Sequence, residues 1–434
     1  MSDSATNENL REGRGERGDF GKDQGVGMKK GWETKTIGDV CEFQRGLTYA
    51  KGDEVDVSDN VVLRATNIDL ATNLLIFDEL KYISDKVVVP ESKKVKKGSL
   101  MICMASGSKS HLGKVAFIDD DYGYAFGGFM GMLTPLNGLL TKYLFHLMTS
   151  EDYKDFIGAL SDGANINNLT FDKLKVFPVP VPPLAEQQRI VGLLDEAFEG
   201  LATAKANAEK NLQNARALFE SHLQSVFTQR GPGWVATTLG EDIDLLAGFA
   251  FKSAQYTNDD DDIRLLRGDN IIQGCLRWDD VKRWPADDTG DYDRYQLKEG
   301  DVVLAMDRPW VKAGLKHATI STDDLPCLLV QRTARLRGGS NLDNRFLKLL
   351  IGCSAFTSHI LGVQTGIGVP HISGQQIKDF EFARPPLAEQ RRIADNLESL
   401  QEQTHHLARL YEQKLVALEA LKKSLLHQAF TGAL

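Results

Sequence analysis

The side chains best suited to chemistry in this sequence are clustered cations, and the chemistry that they offer is phosphate binding. Between Ser92 and Ile118 the chain carries six lysines and one histidine, and no aspartate or glutamate. Lysine ammonium groups bind phosphate oxygens as point charges, without regard to base sequence. The sequence therefore predicts a phosphate-binding surface. Its candidate residues are Lys93, Lys94, Lys96, Lys97, Lys109, His111 and Lys114.

A second set of polar side chains follows later in the chain and adds arginine and amide groups. The stretch Asn344–Lys378 again contains no acidic residue. Arginine, asparagine and glutamine can each form bidentate hydrogen bonds with a base edge. The alternative for any one of these residues is a solvated loop on an unrelated binding domain. The candidates are Arg308, Lys312, Lys316, His317, Arg332, Gln364, Thr365 and His371, and the region of the last three corresponds to Asn165, Asn167 and Asn168 in the first half of the chain.

No set of residues has the spacing of an enzyme active site. Gly107–Val115 resembles a P-loop, but it has five residues between its glycines instead of four, and valine where a magnesium-binding hydroxyl belongs. The acidic run Asp259–Asp262 lacks the spaced ligands of a calcium loop. The five cysteines lie far apart, as is typical of reduced cysteines in a cytoplasmic protein. We predict a non-catalytic protein that binds no metal and no cofactor of its own.

Net charge and local charge give opposite indications about a nucleic-acid partner. The 51 basic and 60 acidic residues give a net charge of −9, which argues at first sight against a nucleic-acid partner. The acid-free stretches show, however, that charge is segregated along the chain, so net charge is the weaker guide. A hydrophobic fraction of 42% predicts a folded protein, and no apolar run is long enough to cross a membrane. Residues 1–28, rich in glycine and charge, are predicted to be a disordered N-terminal tail.

An internal repeat organises the rest of the chain. The sequence PPLAEQQRI at Pro182–Ile190 recurs as PPLAEQRRI at Pro385–Ile393, with eight of nine residues identical and an offset of 203. A match of this quality indicates a tandem duplication. The predicted parts are two β-rich domains with Gly-rich loops, residues 29–181 and 231–384, each followed by a long helical segment, residues 182–230 and 385–434.

Both helical segments carry a heptad pattern, in which apolar residues are spaced alternately by four and three. The second segment is rich in leucine at these positions and the first in alanine, so large side chains can face small ones, and we predict that the segments pair as a coiled coil. The alternative is that each helix packs on its own β-rich domain as a surface helix. The predicted seam consists of Ile190, Leu194, Leu201, Leu218, Ile393, Leu397, Leu400, Leu407, Tyr411, Leu418, Leu421 and Leu425.

With these features the chain resembles the specificity subunit of type I DNA restriction-modification systems. The resemblance is carried by the two PPLAEQ boxes with their long helices, by the segments Lys97–Cys103 and Glu299–Ala305, and by the turns before the boxes. It implies an α+β fold, in which two repeated mixed α/β target-recognition domains are separated by two long helices. It also implies that the helices form an antiparallel coiled coil with pseudo-twofold symmetry. Each domain of that family reads one half of a bipartite, asymmetric DNA site.

The same resemblance implies a set of partners. They are double-stranded DNA, two methyltransferase (modification) subunits docked on the helices, and motor-nuclease (restriction) subunits as further members of the complex. S-adenosylmethionine is expected on the methyltransferase subunits. The half-sites would lie about one helical turn apart, roughly 34 Å. The alternative from another class is an adaptor whose β-rich domains bind polypeptides, with a binding affinity insensitive to salt.

Overall fold

The computed structural model describes residues 29–161, 168–288, 290–366 and 368–434, without the side chains of Lys109 and Ser161. The predicted tail, residues 1–28, lies outside the described residues. The chain divides into two compact units. One consists of the residues up to Lys205 together with Val416–Leu434, and the other of Ala206–Leu415. Each of the two long helices therefore contributes its first part to one unit and its last part to the other.

The first unit holds two four-stranded sheets and a closing strand pair. Its strands are β1 (Glu33–Thr36), β2 (Cys41–Arg45), β3 (Glu54–Val55), β4 (Asn60–Leu63), β5 (Lys81–Ile83), β6 (Leu100–Cys103), β7 (Val115–Phe117), β8 (Ala125–Phe126), β9 (Met130–Pro135) and β10 (Pro178–Val181). Its helices are α1 (Ile37–Val40), α2 (Thr141–Leu147), α3 (Glu151–Ser161), α4 (Phe171–Lys175) and the first part of α5 (Leu184–Thr228). One sheet has the order β2-β9-β6-β7, the other β3-β5-β4-β8, and β1 pairs with β10.

The second unit repeats this plan with local differences. Its strands are β11 (Val235–Thr238), β12 (Ile243–Ala247), β13 (Ile263–Leu266), β14 (Lys282–Trp284), β15 (Val302–Ala305), β16 (Trp310–Val311), β17 (Gly314–Leu315), β18 (His317–Thr319), β19 (Cys327–Leu329), β20 (Thr333–Gly338) and β21 (Glu381–Arg384). Its helices are α6 (Leu239–Asp242), α7 (Asn344–Gly352), α8 (Ser354–Val363), α9 (Gly374–Lys378) and the first part of α10 (Leu387–Thr431). The sheet orders are β12-β20-β15-β18 and β14-β13-β19, with the pairs β11-β21 and β16-β17.

The central strands β6 and β15 lie between two apolar cores. Side chains alternate between the two faces of a strand, so a strand covered on both sides must be apolar throughout. In β6 Leu100 and Ile102 pack with the helices, while Met101 and Cys103 enter a second core. The four residues of β15 alternate between two cores in the same way. Burial on both faces therefore anchors the strand from which each following loop begins.

A buried glutamine joins each long helix to the domain before it. Gln187, which is fully buried, accepts a hydrogen bond at Oε1 from the backbone N–H of Leu140 at 2.8 Å. Its Nε2 donates to the carbonyl oxygens of Gly138 and Pro182 at 2.8 and 2.9 Å. The one side chain therefore binds three backbone groups, and the bond to Pro182 is buried.

The second copy repeats this arrangement. The Oε1 atom of Gln390 accepts from the N–H of Asp343 at 2.9 Å, and its Nε2 donates to the carbonyl oxygens of Asn341 and Pro385 at 2.9 and 2.8 Å. All four positions follow their counterparts in the first copy by 203 residues. The glutamine of the repeated box is thus a structural residue that fixes where the helix leaves the domain.

Within each unit the two long helices run antiparallel. In the first unit Arg189 of α5 donates to the carbonyl oxygen of Leu434, just after α10, at 2.8 Å, and Phe198, later in α5, contacts Lys422, earlier in α10. In the second unit Arg216 of α5 pairs with Glu412 of α10 at 2.7 Å, and Leu223, later in α5, shares a core with Leu397, earlier in α10. The end of α10 also enters the core of the first unit, where Phe430 contacts Tyr143 edge to face. Each helix therefore packs both on its partner helix and on domain cores, so the two hypotheses for the helices each describe a part of the structure.

The predicted seam is partly wrong. Ile190, Leu194, Ile393 and Leu397 are buried, and Leu201, Leu400, Tyr411, Leu418 and Leu425 are half-buried. In contrast, Leu218, Leu407 and Leu421 are 51%, 41% and 48% exposed. A straight α-helix repeats every 3.6 residues, so a strict heptad pattern rotates away from the partner by about 20° per heptad. Toward the end of α5 the inward positions are accordingly Phe219 and Leu223.

The chain thus has the α+β fold predicted for it, with two repeated mixed α/β domains and two long helices. Among the described residues, no single helix has the length and apolar composition needed to span a membrane. Helices α7 and α8 meet that criterion only as a pair bent by 62°. Their large apolar side chains, such as Phe346 and Phe356, lie in the core of the second unit.

Candidate nucleic-acid interface

Three segments of the second unit meet where strand β15 ends. Strand β15 pairs with β20, and the N–H of Met306, just after β15, donates to the carbonyl oxygen of Arg332, just before β20, at 2.8 Å. The N–H of Arg308 donates to the carbonyl oxygen of Pro370 at 2.6 Å. Residues far apart in the sequence are therefore neighbours. We call this surface the loop edge of the second unit; it consists of Asp307, Arg308, Arg332, Thr365 and His371.

The polar groups of this loop edge hold one another in place. Nη1 of Arg332 lies 2.9 Å from Oδ2 of Asp307, although the arginine side chain remains 69% exposed. Thr365 and His371 exchange two backbone hydrogen bonds, of 2.9 and 2.8 Å. Their side chains also bond, with 3.0 Å between Oγ1 and Nε2. The structure therefore brings together four of the candidate residues. A fifth, Gln364, is adjacent to Thr365 and directly follows helix α8 as its C-cap residue.

Two of these residues have an unusual backbone conformation. Arg308 has a φ of 45° and Arg332 a φ of 65°, in the left-handed region that residues with a Cβ seldom adopt. Such a conformation costs on the order of 1–3 kcal/mol and persists only where the surrounding structure enforces it. Strain of this kind is concentrated at functional sites, and here both residues are exposed arginines at one edge.

The neighbouring candidates divide into exposed and buried residues. Lys312 is exposed in the hairpin formed by β16 and β17. Lys316 is half-buried, and burial lowers the pKa of its ammonium group. Burial, with a smaller contribution from Lys348, lowers the pKa of His317 to about 4. The Nδ1 atom of His317 is buried and has no hydrogen-bond partner within the described part of the chain. The structure therefore argues against the assignment of His317 as a DNA contact, because its ring is turned into the domain.

The first unit has an equivalent loop edge, which we define by Ala105, Phe129 and Asn168. The N–H of Met104 donates to the carbonyl oxygen of Phe129 at 2.9 Å, and that of Ala105 donates to the same oxygen at 3.2 Å. Ala105 pairs with Asn168 in an isolated β-bridge, as Asp307 does with His371. Asn168 is exposed at this edge. Asn165 and Asn167 lie outside the described residues.

The lysine-rich stretch is less cationic in space than in sequence. Lys94 pairs with Glu91 at 2.6 Å, and Lys97 lies 3.7 Å from Asp120. Both acids flank the acid-free stretch. Lys96 is exposed, and Nζ of Lys93 donates to the carbonyl oxygen of Arg45 at 2.8 Å, beside the loop edge.

Lys114 and His111 are enclosed by the first unit. Lys114 is only 8% exposed, and its Nζ donates to the carbonyl oxygen of Ile68 at 2.6 Å. A lysine enclosed in this way cannot reach a phosphate, so the prediction for Lys114 is wrong. His111 is half-buried, and burial lowers its pKa. Lys109 begins a single 3₁₀ turn that ends at His111.

Phe129 and Arg45 were not selected from the sequence, although both lie at or beside the loop edge of the first unit. Arg45 ends β2 opposite Gly131 of β9. Phe129 precedes β9, as Arg332 precedes β20, and the offset between the two is again 203. The repeat offset could therefore have identified Phe129 once Arg332 was a candidate.

Neither the cysteines nor the acidic residues form a reactive or metal-binding site within the described residues. The described chain has no group of three or more His, Cys, Asp or Glu side chains that could hold a metal ion. All five cysteines are free thiols, and four of them are buried. Burial raises the pKa of both Cys41 and Cys327 to about 12. These thiols stay protonated at neutral pH and are poor nucleophiles.

The comparison with known proteins agrees with the repeat. The family model described as "Type I restriction modification DNA specificity domain" matches residues 29–212 and again residues 233–415. The StySPI specificity subunit of Salmonella potsdam is 28% identical over 427 residues, which cover 94% of this chain and 90% of that protein. The EcoAI specificity subunit of Escherichia coli is 40% identical over 169 residues, which cover 39% of this chain and only 28% of that protein.

Solved structures show the same fold. A chain from a structural study of complex assembly and conformational transition of the type I R-M system aligns with a TM-score of 0.73 at 19% identity, covering 94% of this chain and 99% of that one. The HsdS subunit from Thermoanaerobacter tengcongensis aligns with a TM-score of 0.64 at 19% identity, covering 94% and 98%. Because the family model matches most of the sequence, in two copies, the chain belongs to the family of type I restriction-modification DNA specificity proteins.

Proposed function

We propose that this chain reads a bipartite, asymmetric DNA site for a type I restriction-modification complex, one half with each domain. The observation that carries the proposal is the loop edge, which occurs at the same place in both domains but presents different side chains. Matched backbone bonds position Arg332 in one domain and Phe129 in the other. Two domains with one framework and different exposed groups are suited to two different half-sites.

The loop edge of the second unit has the chemistry of base reading. An arginine guanidinium can form two hydrogen bonds with the O6 and N7 atoms of guanine. Arg332 and Arg308 are both exposed, and the enforced backbone conformation of each limits the directions that its side chain can take. Thr365 and His371 add hydrogen-bonding groups at the same edge. Exposed lysines such as Lys312 and Lys96 supply contacts to phosphate, which position a duplex without reading it.

The long helices supply the docking surface for two methyltransferase subunits in this proposal. Leu407 and Leu410 of α10 are 41% and 46% exposed, on a helix whose Leu397 is fully buried. Exposed apolar side chains on a helix are typical of a surface that a partner covers. S-adenosylmethionine would be bound by the methyltransferase subunits, and this chain would contribute no catalytic group. Motor-nuclease subunits would join the same complex.

The experiment is a binding titration of the purified complex of this chain with its methyltransferase subunits. Duplexes would carry either the motif methylated in the host or a scrambled sequence. The proposal predicts preference for the motif, and an affinity that falls steeply with salt because phosphate contacts release counterions. The double variant Lys96→Gln/Lys312→Gln should weaken both duplexes alike, because both lysines are exposed. Lys94→Gln is the matched control, since Glu91 already pairs with Lys94.

A different result would contradict the proposal. A polypeptide-binding adaptor would show no preference between the two duplexes. Its affinity for its own partner would be insensitive to salt and to competitor DNA.

A further inference from the structure

We infer that Phe129 is a specificity-determining residue of the first domain, and that it contacts the 5-methyl group of a thymine. The inference rests on the proposed function and names one residue and one base for it. Phe129 is 73% exposed, the largest exposure among the phenylalanines of the described chain. Water around an exposed phenyl ring is unfavourable, and burying the ring against another apolar group releases that water.

The backbone holds Phe129 firmly although its side chain is exposed. Its carbonyl oxygen accepts two hydrogen bonds, from the N–H groups of Met104 and Ala105. The next residue, Met130, is 1% exposed and packs in the core between the sheets. The ring therefore projects from a fixed point, as a residue that reads a base must.

The close approach of two backbone segments also fixes the turn that precedes Phe129. A Cβ on Gly46 would lie 2.0 Å from the carbonyl oxygen of Gly127, so only glycine fits there. The second domain repeats this contact, since a Cβ on Gly248 would lie 2.0 Å from the carbonyl oxygen of Val330. In both domains the turn leads into the strand of the central sheet, β9 or β20.

The position of Phe129 corresponds to that of Arg332. Each residue directly precedes its strand, and the carbonyl oxygen of each accepts from the first N–H after the neighbouring strand, that of Met104 or Met306. If this position faces a base in one domain, it faces a base in the other. An arginine there suits guanine, and a phenylalanine cannot make that contact.

The apolar group that distinguishes base pairs in the major groove is the thymine methyl. A phenyl ring has no hydrogen-bonding group, so its selective contact in that groove is with this methyl. Asn168 pairs with Ala105 in a β-bridge at the same edge and is exposed. An asparagine amide can form two hydrogen bonds with adenine. An A·T pair in the half-site of the first domain therefore matches both side chains.

The test uses the complete complex and the motif obtained by mapping methylated bases. In duplexes with that motif, each thymine of the half-site read by the first domain is replaced in turn by deoxyuridine, which lacks the methyl group. At one position the wild-type complex should bind about fourfold less tightly, the effect of losing one buried methyl contact. Phe129→Ala should bind the thymine and deoxyuridine duplexes equally, while Phe129→Leu should keep part of the difference.

Leu136→Ala is the matched control, because Leu136 is an exposed apolar residue that follows the other end of the same strand. It should behave as the wild type. The inference is overturned if no deoxyuridine substitution matters, if Phe129→Ala still distinguishes the two bases, or if the half-site has no A·T pair. It is also overturned if Phe129→Ala weakens binding while deoxyuridine has no effect, which would indicate a wedge between base pairs. Failure of the proposed function differs, because the wild-type complex would then show no preference for the motif.

Discussion

Arg332 and Asp307 form an ion pair at the loop edge of the second domain, with Nη1 and Oδ2 2.9 Å apart. Asp307 is itself fixed, because its segment pairs with His371 in a β-bridge. The exposed guanidinium is thus held at one end by a residue of a neighbouring loop. An arginine that is oriented before binding loses less conformational freedom when it meets a base.

Replacement of Arg332 should affect one position of one half-site. We expect Arg332→Ala to cost about 1–3 kcal/mol with the cognate duplex, and to relax discrimination at a single base pair. Arg332→Lys keeps the charge but lacks the planar fork, so it should restore affinity without restoring discrimination. Binding titrations against duplexes substituted at each position measure both effects. Equal losses for every sequence would identify Arg332 as a phosphate contact instead.

Gln187 should be essential for the junction between the first domain and α5. Gln187→Leu removes the partner of three backbone groups, and the carbonyl of Pro182, whose bond is buried, costs about 1–3 kcal/mol when it is left unpaired. We therefore expect a lower free energy of unfolding in chemical denaturation. Gln188→Leu is the matched control, since Gln188 is the exposed neighbour on the same helix turn. Equal stability of the two variants would show that the buried hydrogen bonds contribute little.

His317 should make the second domain less stable in acid. Its pKa is about 4 in the folded state, below the ordinary value of 6.5, because burial disfavours the charged ring. The unfolded chain therefore binds a proton first as the pH falls. Above pH 6.5 this effect does not lower the free energy of unfolding. Between pH 6.5 and about pH 4 it lowers that free energy progressively, by about 3 kcal/mol in total.

Denaturation of wild type and His317→Leu at a series of pH values tests this directly. The variant should lose part of the acid dependence between pH 6.5 and pH 4. Burial also lowers the pKa of His146 in the first domain, so some dependence should remain. An unchanged pH profile in the variant would mean that His317 is not enclosed in solution.

The exposed leucines of α10 should matter for assembly and not for folding. We expect Leu407→Ser/Leu410→Ser to weaken association with the methyltransferase subunits about tenfold while the melting temperature stays unchanged. Gln413→Ser, at an exposed polar position of the same helix, is the control. Leu397→Ser should instead destabilise the chain, because Leu397 is fully buried. Normal assembly of the double variant would place the docking surface elsewhere.

The sequence predicts those features that depend on local or repeated patterns. The nine-residue repeat predicts the duplication and the two long helices. Heptad spacing identifies Ile190 and Ile393 as buried, but it fails at Leu218, because a straight helix follows a different period. The residue type of Gln187 does not reveal its structural role. The repeat does mark the position, because Gln390 is the identical residue in the second copy.

Long-range contacts limit what can be predicted about the site. Lys114 lies in an acid-free stretch, yet its ammonium group donates to the backbone carbonyl oxygen of Ile68, which is distant in sequence. Arg308, Arg332 and His371 were candidates for separate reasons, and only sheet pairing brings them to one edge. Phe129 was missed because a lone phenylalanine is normally a core residue.

The assignment of one half-site to each domain is tested most directly by replacing residues 31–181 with the corresponding segment of a relative that has a different specificity. The methylated motif would then be mapped across the genome of cells that carry the complete complex. We expect one half of the bipartite motif to change to that of the relative, while the other half stays the same. An unchanged motif, or a change in both halves, would contradict the assignment of one half-site to each domain.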